Sequence, residues 1–260
     1  MDKHIRTDGI NIAYTLSGRG PAVVLLHGWM CNRKFWKEQI QFLSKTHQVV
    51  APDFRGHGDS DVPEEGYTIE QLADDVCNVL KGIGVSQAVV VGHSMGGMVA
   101  QQFCVSHGDH ASGLILVTTI AADPEDRLIS KRIEKDALRL GFRDAFLRYF
   151  DGWFGPGTDP NVTGWVRDQM LHTPENVGLN LVRSYRRFDL RAHLPNLTIP
   201  TLVIGTALDA SVVPVESKTL AQLIPGAQLF MIDGSGHFPM LETPQAFNKA
   251  LREFLPPPPP

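Results

Sequence analysis

Short apolar runs bounded by glycine, proline or aspartate recur along the chain and form its most regular pattern. Continuous apolar runs of this length are typical of strands that are buried on both faces of a parallel sheet. The predicted strands of this kind cover residues 22–26, 48–51, 88–91, 114–117, 201–204 and 228–232. Residues 10–16 instead alternate between apolar and polar side chains, which predicts an edge strand in an antiparallel beginning of the sheet.

Helix-like segments separate these runs. The predicted helices cover residues 35–44, 69–81, 95–106, 215–223 and 244–254. Thr68 followed by Gln71 resembles a capping box at the start of the second helix, and Gly82 and Gly84 mark its end. Because strands and helices alternate, we expect an α/β fold whose parallel strands are joined by right-handed crossovers, with helices on both faces of the sheet.

One long interval, residues 120–190, interrupts this alternation. It contains no good strand, but residues 129–150, 162–171 and 177–188 have helical patterns. We therefore expect a helical cap over the carboxyl edge of the sheet. The expected division of the chain is an α/β core of residues 1–119 and 191–255, a cap of residues 120–190, and a proline tail of residues 256–260 in a solvated polyproline II conformation.

Aromatic side chains are frequent in the predicted cap. Most of them fit the apolar positions of its helices, which predicts a small core within the cap. Some are also candidates for contact with a substrate held beneath the cap. These candidate pocket residues are Phe142, Phe146, Trp153 and Trp165.

The bulk composition narrows the possible partners. A chain of 260 residues suits one large α/β domain with an insertion, and a net charge of −4 gives no reason to expect binding to nucleic acid or an acidic membrane. The arginines between residues 183 and 191 fit a solvated helix face. The three cysteines show no metal-binding or disulfide pattern, and no apolar signal or spanning segment occurs. We expect a cytoplasmic protein without a bound metal, and the oligomeric state stays open.

A serine flanked by glycines, Gly92-His93-Ser94-Met95-Gly96, lies where the predicted strand 88–91 meets a predicted helix. A strand that reverses abruptly into a helix strains its turn residue, and side chains two positions before and after it would collide. Gly92 and Gly96 remove those side chains. Ser94 is then held out beside a helix N-terminus, where negative charge is favoured, and this arrangement predicts a nucleophile.

A serine becomes a nucleophile with the help of a base, and the base needs an acid that orients it. Two later predicted strands end near suitable residues, Asp209 in one loop and His237 in a glycine-rich loop. Asp123, which follows the preceding strand, is a rival for the acid. His27 and His93 are interpreted as structural residues, the first bracing its loop and the second packing or hydrogen bonding beside the serine.

Together these motifs resemble the α/β-hydrolase fold family. The resemblance extends over nearly the whole chain and rests on His27-Gly28-Trp29, residues 53–60, the serine motif, the Asp209 loop with Pro214, and Gly236-His237. It implies an eight-stranded, mostly parallel sheet, with Ser94 as nucleophile, His237 as base and Asp209 as orienting acid. It also implies an oxyanion hole made by the backbone N–H groups of Trp29 and Met95, and no cofactor.

The expected activity is hydrolysis of a carboxylic ester or lactone of a small, partly apolar substrate through an acyl-enzyme on Ser94. This expectation follows the small esterases and enol-lactonases that the chain resembles. A serine at the turn argues against dehalogenase and epoxide hydrolase chemistry, for which relatives use aspartate. Four alternatives stay open: a ligand-binding regulator with slow or vestigial hydrolysis, a hydrolase of carbon–carbon bonds, a perhydrolase and a cofactor-free oxygenase.

Overall fold

A single eight-stranded sheet forms the centre of the computed structural model, which describes residues 2–123 and 129–257. The strands in chain order are β1 (Asp2–Thr7), β2 (Ile10–Ser17), β3 (Ala22–Leu26), β4 (Gln48–Pro52), β5 (Ala88–His93), β6 (Ala111–Val117), β7 (Thr201–Thr206) and β8 (Gln228–Ile232). Their order across the sheet is β1-β2-β4-β3-β5-β6-β7-β8. Pairing is antiparallel from β1 through β2 to β4 and parallel between all later neighbours, which confirms the predicted fold class.

The described residues form ten α-helices. They are α1 (Lys37–Leu43), α2 (Ile69–Gly82), α3 (Met95–Ser106), α4 (Ile129–Leu140), α5 (Phe142–Phe150), α6 (Pro160–Met170), α7 (Glu175–Ser184), α8 (Pro214–Leu223), α9 (Pro239–Glu242) and α10 (Pro244–Phe254). The connection from β3 to β4 and the connection from β5 to β6 move in opposite directions across the sheet. Right-handed crossovers therefore place α1 and α3 on opposite faces, so helices cover both.

The predicted edge strand, residues 10–16, is not at the edge. It forms β2, which lies between β1 and β4, and the edge belongs to β1 (Asp2–Thr7). The pattern of apolar residues missed β1 because Ile5 is its one large apolar residue. An edge strand with an exposed face needs few apolar side chains, since its stability comes from pairing with its neighbour.

One predicted helix is divided in the structure, and another begins where its capping residue predicts. Residues 129–150, predicted as one helix, form α4 and α5, separated by Gly141 with a φ of 84° that a right-handed helix does not allow. The second predicted helix begins as expected, because the Thr68 side chain accepts a hydrogen bond from the backbone N–H of Gln71. In a complete capping box the Gln71 side chain would also contact the backbone N–H of Thr68. Here it donates instead to the Asp75 carboxylate within the helix.

Helices α4 to α7, which we call the cap helices, lie in the segment between β6 and β7. Arg183 and Arg186 on this segment both pair with Glu134, as expected for a solvated charged face. The first tail proline is tied to the core, because the His47 ring donates a hydrogen bond to the carbonyl oxygen of Pro256. Residues 258–260 of the predicted polyproline tail lie outside the described residues. Among the described helices, none is long and apolar enough to cross a bilayer.

Candidate active site

Ser94 lies in a strained turn between the end of β5 and the start of α3. Its φ of 53° and ψ of −119° are rare for a residue with a side chain, and the surrounding structure must hold them in place. The backbone N–H of Ser94 donates to the carbonyl oxygen of Val117 at 2.9 Å, and the Thr119 hydroxyl donates to the carbonyl oxygen of Ser94 at 2.7 Å. The turn is therefore fixed from the neighbouring strand β6.

The glycines around Ser94 are required by the packing of the turn. A side chain at Gly92 would collide with the backbone carbonyl of Gly96, and one at Gly96 would collide with the backbone carbonyls of Leu26 and His27 on the other side. These obstacles are main-chain atoms that cannot rotate away. The helix α3 thus begins directly against the carboxyl end of β3, which brings its N-terminus beside the loop that follows β3.

His237 and Asp209 form a buried hydrogen-bonded pair at the carboxyl edge of the sheet. The distance from His237 Nδ1 to Asp209 Oδ2 is 2.7 Å, and the Asp209 side chain is fully buried. The other carboxylate oxygen of Asp209 accepts hydrogen bonds from the backbone N–H groups of Ser211 and Val212. Since a carboxylate is an acceptor, the proton of a neutral His237 ring lies on Nδ1, and Nε2 keeps its lone pair.

The backbone of His237 is held from three directions. Its N–H donates to the carbonyl oxygen of Trp153 at 2.6 Å, which joins this loop to the cap segment. Its carbonyl oxygen accepts from His93 Nε2 at 2.8 Å and from the Thr118 hydroxyl at 3.1 Å. The residue before Ser94 therefore holds the loop that carries His237, as expected for a histidine with a structural role.

Burial lowers the pKa of His93 well below the usual value for histidine, and the nearby His237 lowers it further. His93 is therefore neutral near pH 7, with its proton on Nε2 because that atom donates to a carbonyl oxygen. The lone pair that remains is on Nδ1, and it belongs to a ring whose pKa is low, so His93 is a poor proton acceptor for Ser94. His237 is therefore the better candidate for the base.

Glu242, in the short helix α9, connects the His237 loop to the cap segment. One carboxylate oxygen accepts hydrogen bonds from the backbone N–H groups of Gly155 and Gly236 and from the Thr158 hydroxyl, at 2.8, 3.1 and 2.6 Å. The other accepts from the backbone N–H of Phe238 at 2.9 Å. Two of these four donors flank His237 in sequence. No sequence motif that we considered indicated this residue.

The loop after β3 approaches Ser94 closely because it contains Gly28. A side chain at this glycine would lie 2.8 Å from the His93 ring and 3.4 Å from Ser94 Cβ. Trp29, the next residue, anchors the loop to the cap helices by donating its indole N–H to the carbonyl oxygen of Gly178. His27 braces the same loop, with one ring nitrogen near the carbonyl oxygen of Gly28 and the other accepting from a backbone N–H after β4.

One cavity reaches Ser94, His237 and the two residues predicted for the oxyanion hole. It contains about 630 Å³ of space outside protein atoms, including open solvent at its mouth. Its lining combines the sheet edge with the cap helices and is mainly apolar. The residues on its wall are Trp29, Cys31, His93, Ser94, Met95, Met98, Thr119, Ile120, Asp123, Ile133, Trp153, Met170, Tyr185, Ser211, Val212, His237 and Phe238.

The predicted pocket lining needs correction. Of its four aromatic residues, Trp153 lies on the cavity wall, whereas Phe142 and Phe146 are buried behind it and pack against Trp29. Trp165 lies outside the cavity. Its side chain is partly exposed and packs against Phe35, which precedes α1. Helical periodicity indicates which side chains turn inward, but it does not separate those that face a cavity from those that fill the core behind it.

Three polar residues on the wall come from distant parts of the chain. Cys31 lies in the loop after β3, Asp123 follows β6, and Tyr185 follows the cap helix α7. Burial raises the pKa of the Cys31 thiol well above its usual value, so this thiol is unreactive near pH 7. Asp123, the rival for the orienting acid, accepts a hydrogen bond from the Ser130 hydroxyl, whereas Asp209 contacts His237. Among the described residues, no cluster of histidine, cysteine and acidic side chains could hold a metal ion.

Comparison with known proteins supports the same family as the geometry does. The family model described as the alpha/beta hydrolase family matches residues 23–250. A non-heme chloroperoxidase, CPO-A1 of Kitasatospora aureofaciens, is 30% identical over 95% of this chain and 97% of its own length. The structure is similar to an enol-lactonase from Burkholderia xenovorans LB400, with a TM-score of 0.89, 27% identity, and coverage of 97% of this chain and 99% of that one.

A thermophilic esterase from Thermogutta terrifontis is similar too, with a TM-score of 0.88, 30% identity, and coverage of 97% of both chains. These relatives match nearly the whole chain, and the family model extends from β3 into α10. The resemblance inferred from the sequence motifs is thereby confirmed. The chain belongs to the alpha/beta hydrolase family and is a hydrolase.

Proposed function

We propose that this protein hydrolyses a carboxylic ester or lactone of a small, partly apolar substrate through an acyl-enzyme on Ser94. The observation that carries the proposal is the meeting of Ser94 and His237 on one cavity wall, with Asp209 holding His237 in the tautomer of a base. The cap helices, which contribute Ile133 and Met170 to the wall, are proposed to form a cap over this site together with Trp153 between them.

In the proposed reaction, Ser94 Oγ attacks the substrate carbonyl carbon while His237 Nε2 takes the hydroxyl proton. The negative charge that develops on the carbonyl oxygen is accepted by the backbone N–H groups of Trp29 and Met95. The carbon–oxygen bond to the leaving group then breaks, and His237 gives the proton to the departing oxygen. Water attacks the resulting acyl-enzyme by the same route and releases the acid.

The backbone at the start of α3 supports the oxyanion role of Met95. This residue is the first of the helix, where N–H groups have no partner within the helix and carry partial positive charge. The apolar wall, which includes Met98, Ile133, Met170 and Val212, favours a substrate with a hydrocarbon part. The expectation of a small substrate follows the resemblance of the sequence to small esterases and enol-lactonases.

The proposal is tested with 4-nitrophenyl butanoate and a simple γ-lactone, each with the wild-type protein, Ser94→Ala and Ser106→Ala. Ser106 is an exposed residue at the end of the same helix and serves as a matched control. We expect steady turnover that falls at least about 10⁴-fold in Ser94→Ala and is unchanged in Ser106→Ala. A single stoichiometric release without further turnover would instead support the ligand-binding regulator.

A second candidate function is perhydrolysis, which the 30% identity to a non-heme chloroperoxidase favours. Hydrogen peroxide would attack the Ser94 acyl-enzyme in place of water, releasing a peroxy acid and restoring the serine hydroxyl. The test is bromination of monochlorodimedone in acetate buffer with peroxide and bromide. Bromination that requires both acetate and Ser94 supports this activity, and its absence alongside intact ester hydrolysis restricts the protein to hydrolysis.

A further inference from the structure

Tyr185 lines the cavity, and its hydroxyl is buried without a hydrogen-bond partner. Tyr185 follows α7, is 9% exposed, and lines the same cavity as Ser94 and His237. Its oxygen is inaccessible to solvent and makes no hydrogen bond to any described residue. A buried hydroxyl without a partner has lost its hydrogen bonds with water and makes none within the protein, which lowers the stability of the unliganded protein.

A phenylalanine at this position would make the same apolar contacts without burying a hydroxyl. Tyr185 packs at the base of the cap helices, where the apolar body of the ring supplies the contacts that the core needs. Buried polar atoms without partners in native proteins commonly have a functional explanation, such as an absent ligand. Tyr185 lines a cavity that a substrate would fill, as do Cys31 and Asp123, which both act on its hydroxyl, so a substrate atom is the candidate partner. Because the oxygen is closed to solvent in the unliganded protein, the side chain must turn slightly to make this contact.

The surroundings of the hydroxyl define what that partner must be. Burial raises the pKa of Tyr185 well above its usual value, and Cys31 and Asp123 nearby raise it further, so the group is neutral and donates a hydrogen bond. The Asp123 carboxylate lies on the same wall. A second carboxylate placed beside it would be repelled within a poorly solvated cavity, whereas a neutral oxygen would not.

We propose that Tyr185 is a specificity-determining residue whose hydroxyl donates a hydrogen bond to a neutral oxygen of the substrate, such as a ketone or hydroxyl oxygen, separate from the carbonyl that Ser94 attacks. The preferred substrate class is therefore an oxygen-bearing ester or lactone rather than a plain alkyl ester. This inference rests on the proposed ester or lactone hydrolysis and specifies its substrate.

The cavity has a direction that fits this assignment. Ile133, Trp153 and Ser211 line both this cavity and an adjoining surface groove, so they mark its open side. Tyr185 and Cys31 are not among the residues that line the groove. A substrate that enters past Trp153 would therefore meet Tyr185 and Cys31 inside the cavity rather than in the groove.

The test compares four methyl esters in a pH-stat assay: methyl hexanoate, methyl 3-oxohexanoate, methyl 5-oxohexanoate and monomethyl glutarate. The last two have the same shape, but the methyl ketone of one is replaced by a carboxylate in the other. We expect at least one keto ester to exceed methyl hexanoate in kcat/KM by about tenfold or more, and monomethyl glutarate to be the poorest substrate.

Tyr185→Phe should remove the preference for the keto ester, mainly through KM, while turnover of methyl hexanoate changes by less than about twofold. Its thermal midpoint should equal or exceed that of the wild-type protein, since the hydroxyl has no partner in the fold. Tyr67→Phe is the control, because the Tyr67 hydroxyl donates to the carbonyl oxygen of Pro63 away from the cavity. This control should keep the preference.

The proposal is overturned if neither keto ester is preferred, if the preference persists in Tyr185→Phe, or if monomethyl glutarate is the best substrate. A lowered thermal midpoint of Tyr185→Phe also overturns it, because the hydroxyl would then have a partner within the protein. Failure of the proposed function has a different signature, namely the absence of Ser94-dependent turnover of 4-nitrophenyl butanoate.

Discussion

His93 donates its Nε2 proton to the backbone carbonyl oxygen of His237 at 2.8 Å. The residue that precedes the proposed nucleophile thus holds the loop of the proposed base, and it does so as a neutral ring. This hydrogen bond links two segments that are 144 residues apart in the chain. The relative position of Ser94 and His237 therefore depends on a contact made by neither of their side chains.

Replacing His93 tests this positioning role. In His93→Leu the His237 carbonyl keeps the Thr118 hydroxyl as its one remaining partner, so we expect kcat to fall about tenfold and the free energy of unfolding to fall by about 1–3 kcal/mol. His93→Gln places an amide N–H near the position of Nε2 and should recover most of kcat. Steady-state kinetics and urea unfolding measure both effects. Equal activity of the two variants would contradict the positioning role.

Acid should destabilise the protein through its buried histidines. Burial lowers the pKa of His27 from 6.5 to about 4 and that of His57 from 6.5 to about 3. Between these values and 6.5 the unfolded chain binds the protons and the folded chain does not, so stability falls as the pH decreases. From pH 7.5 to pH 5 each ring should cost about 2 kcal/mol of unfolding free energy, which urea unfolding measures.

His57→Asn separates this effect from other titrations. An asparagine keeps a donor near the position of His57 Nδ1, which donates to the carbonyl oxygen of Arg55, and removes the titrating ring. The variant should therefore lose about 2 kcal/mol less stability than the wild-type protein over the same pH interval. The interpretation fails if the two proteins lose stability in parallel, since the pH dependence would then arise elsewhere.

The sequence located the candidate catalytic residues at one edge of the sheet, because their positions follow from chain order and strand ends. Ser94 is marked by the glycines that its turn requires, and Asp209 and His237 follow strands that a parallel sheet brings to one edge. The same reasoning placed His93 beside the serine as a structural residue. It could not identify the carbonyl that His93 contacts, because that contact depends on the path of a loop late in the chain.

The cavity wall was much less predictable. Phe142 and Trp153 are both large, aromatic and buried, yet one packs behind the wall and the other faces the cavity. That difference is decided by how the cap helices pack on the sheet, which periodicity does not specify. Tyr185 was missed because its importance lies in a partner that its hydroxyl lacks, a property that exists only in three dimensions.

The choice between the two candidate acids is tested by Asp209→Asn and Asp123→Asn. An asparagine at position 209 would favour the wrong His237 tautomer, so we expect kcat for an alkyl ester to fall about a thousandfold or more. Asp123 contacts Ser130 on the cap side, and its variant should lose far less. The opposite ranking in steady-state assays would assign the orienting role to Asp123.

Glu242 should act as a positioning residue through the loops that it joins. Glu242→Ala removes the acceptor for four hydrogen bonds, two of them from residues that flank His237, so we expect kcat and thermal stability to fall together. Amide hydrogen exchange should rise at residues 153–158 and 235–238 and stay unchanged in β5. Thr158→Val removes one donor of the set and should show a smaller effect. Unchanged exchange in both loops would contradict this role.

Two glycine substitutions should have opposite effects on stability. Gly96→Ala places a methyl group against the backbone carbonyls of Leu26 and His27, and we expect a loss of about 3 kcal/mol or more because neither carbonyl can move without shifting β3. Gly164, in the middle of α6, has open space around it, so Gly164→Ala should stabilise the protein by about 0.5–1 kcal/mol. Urea unfolding measures both changes. If Gly96→Ala stabilised the protein as much as Gly164→Ala does, the proposed collision with the two carbonyls would be contradicted.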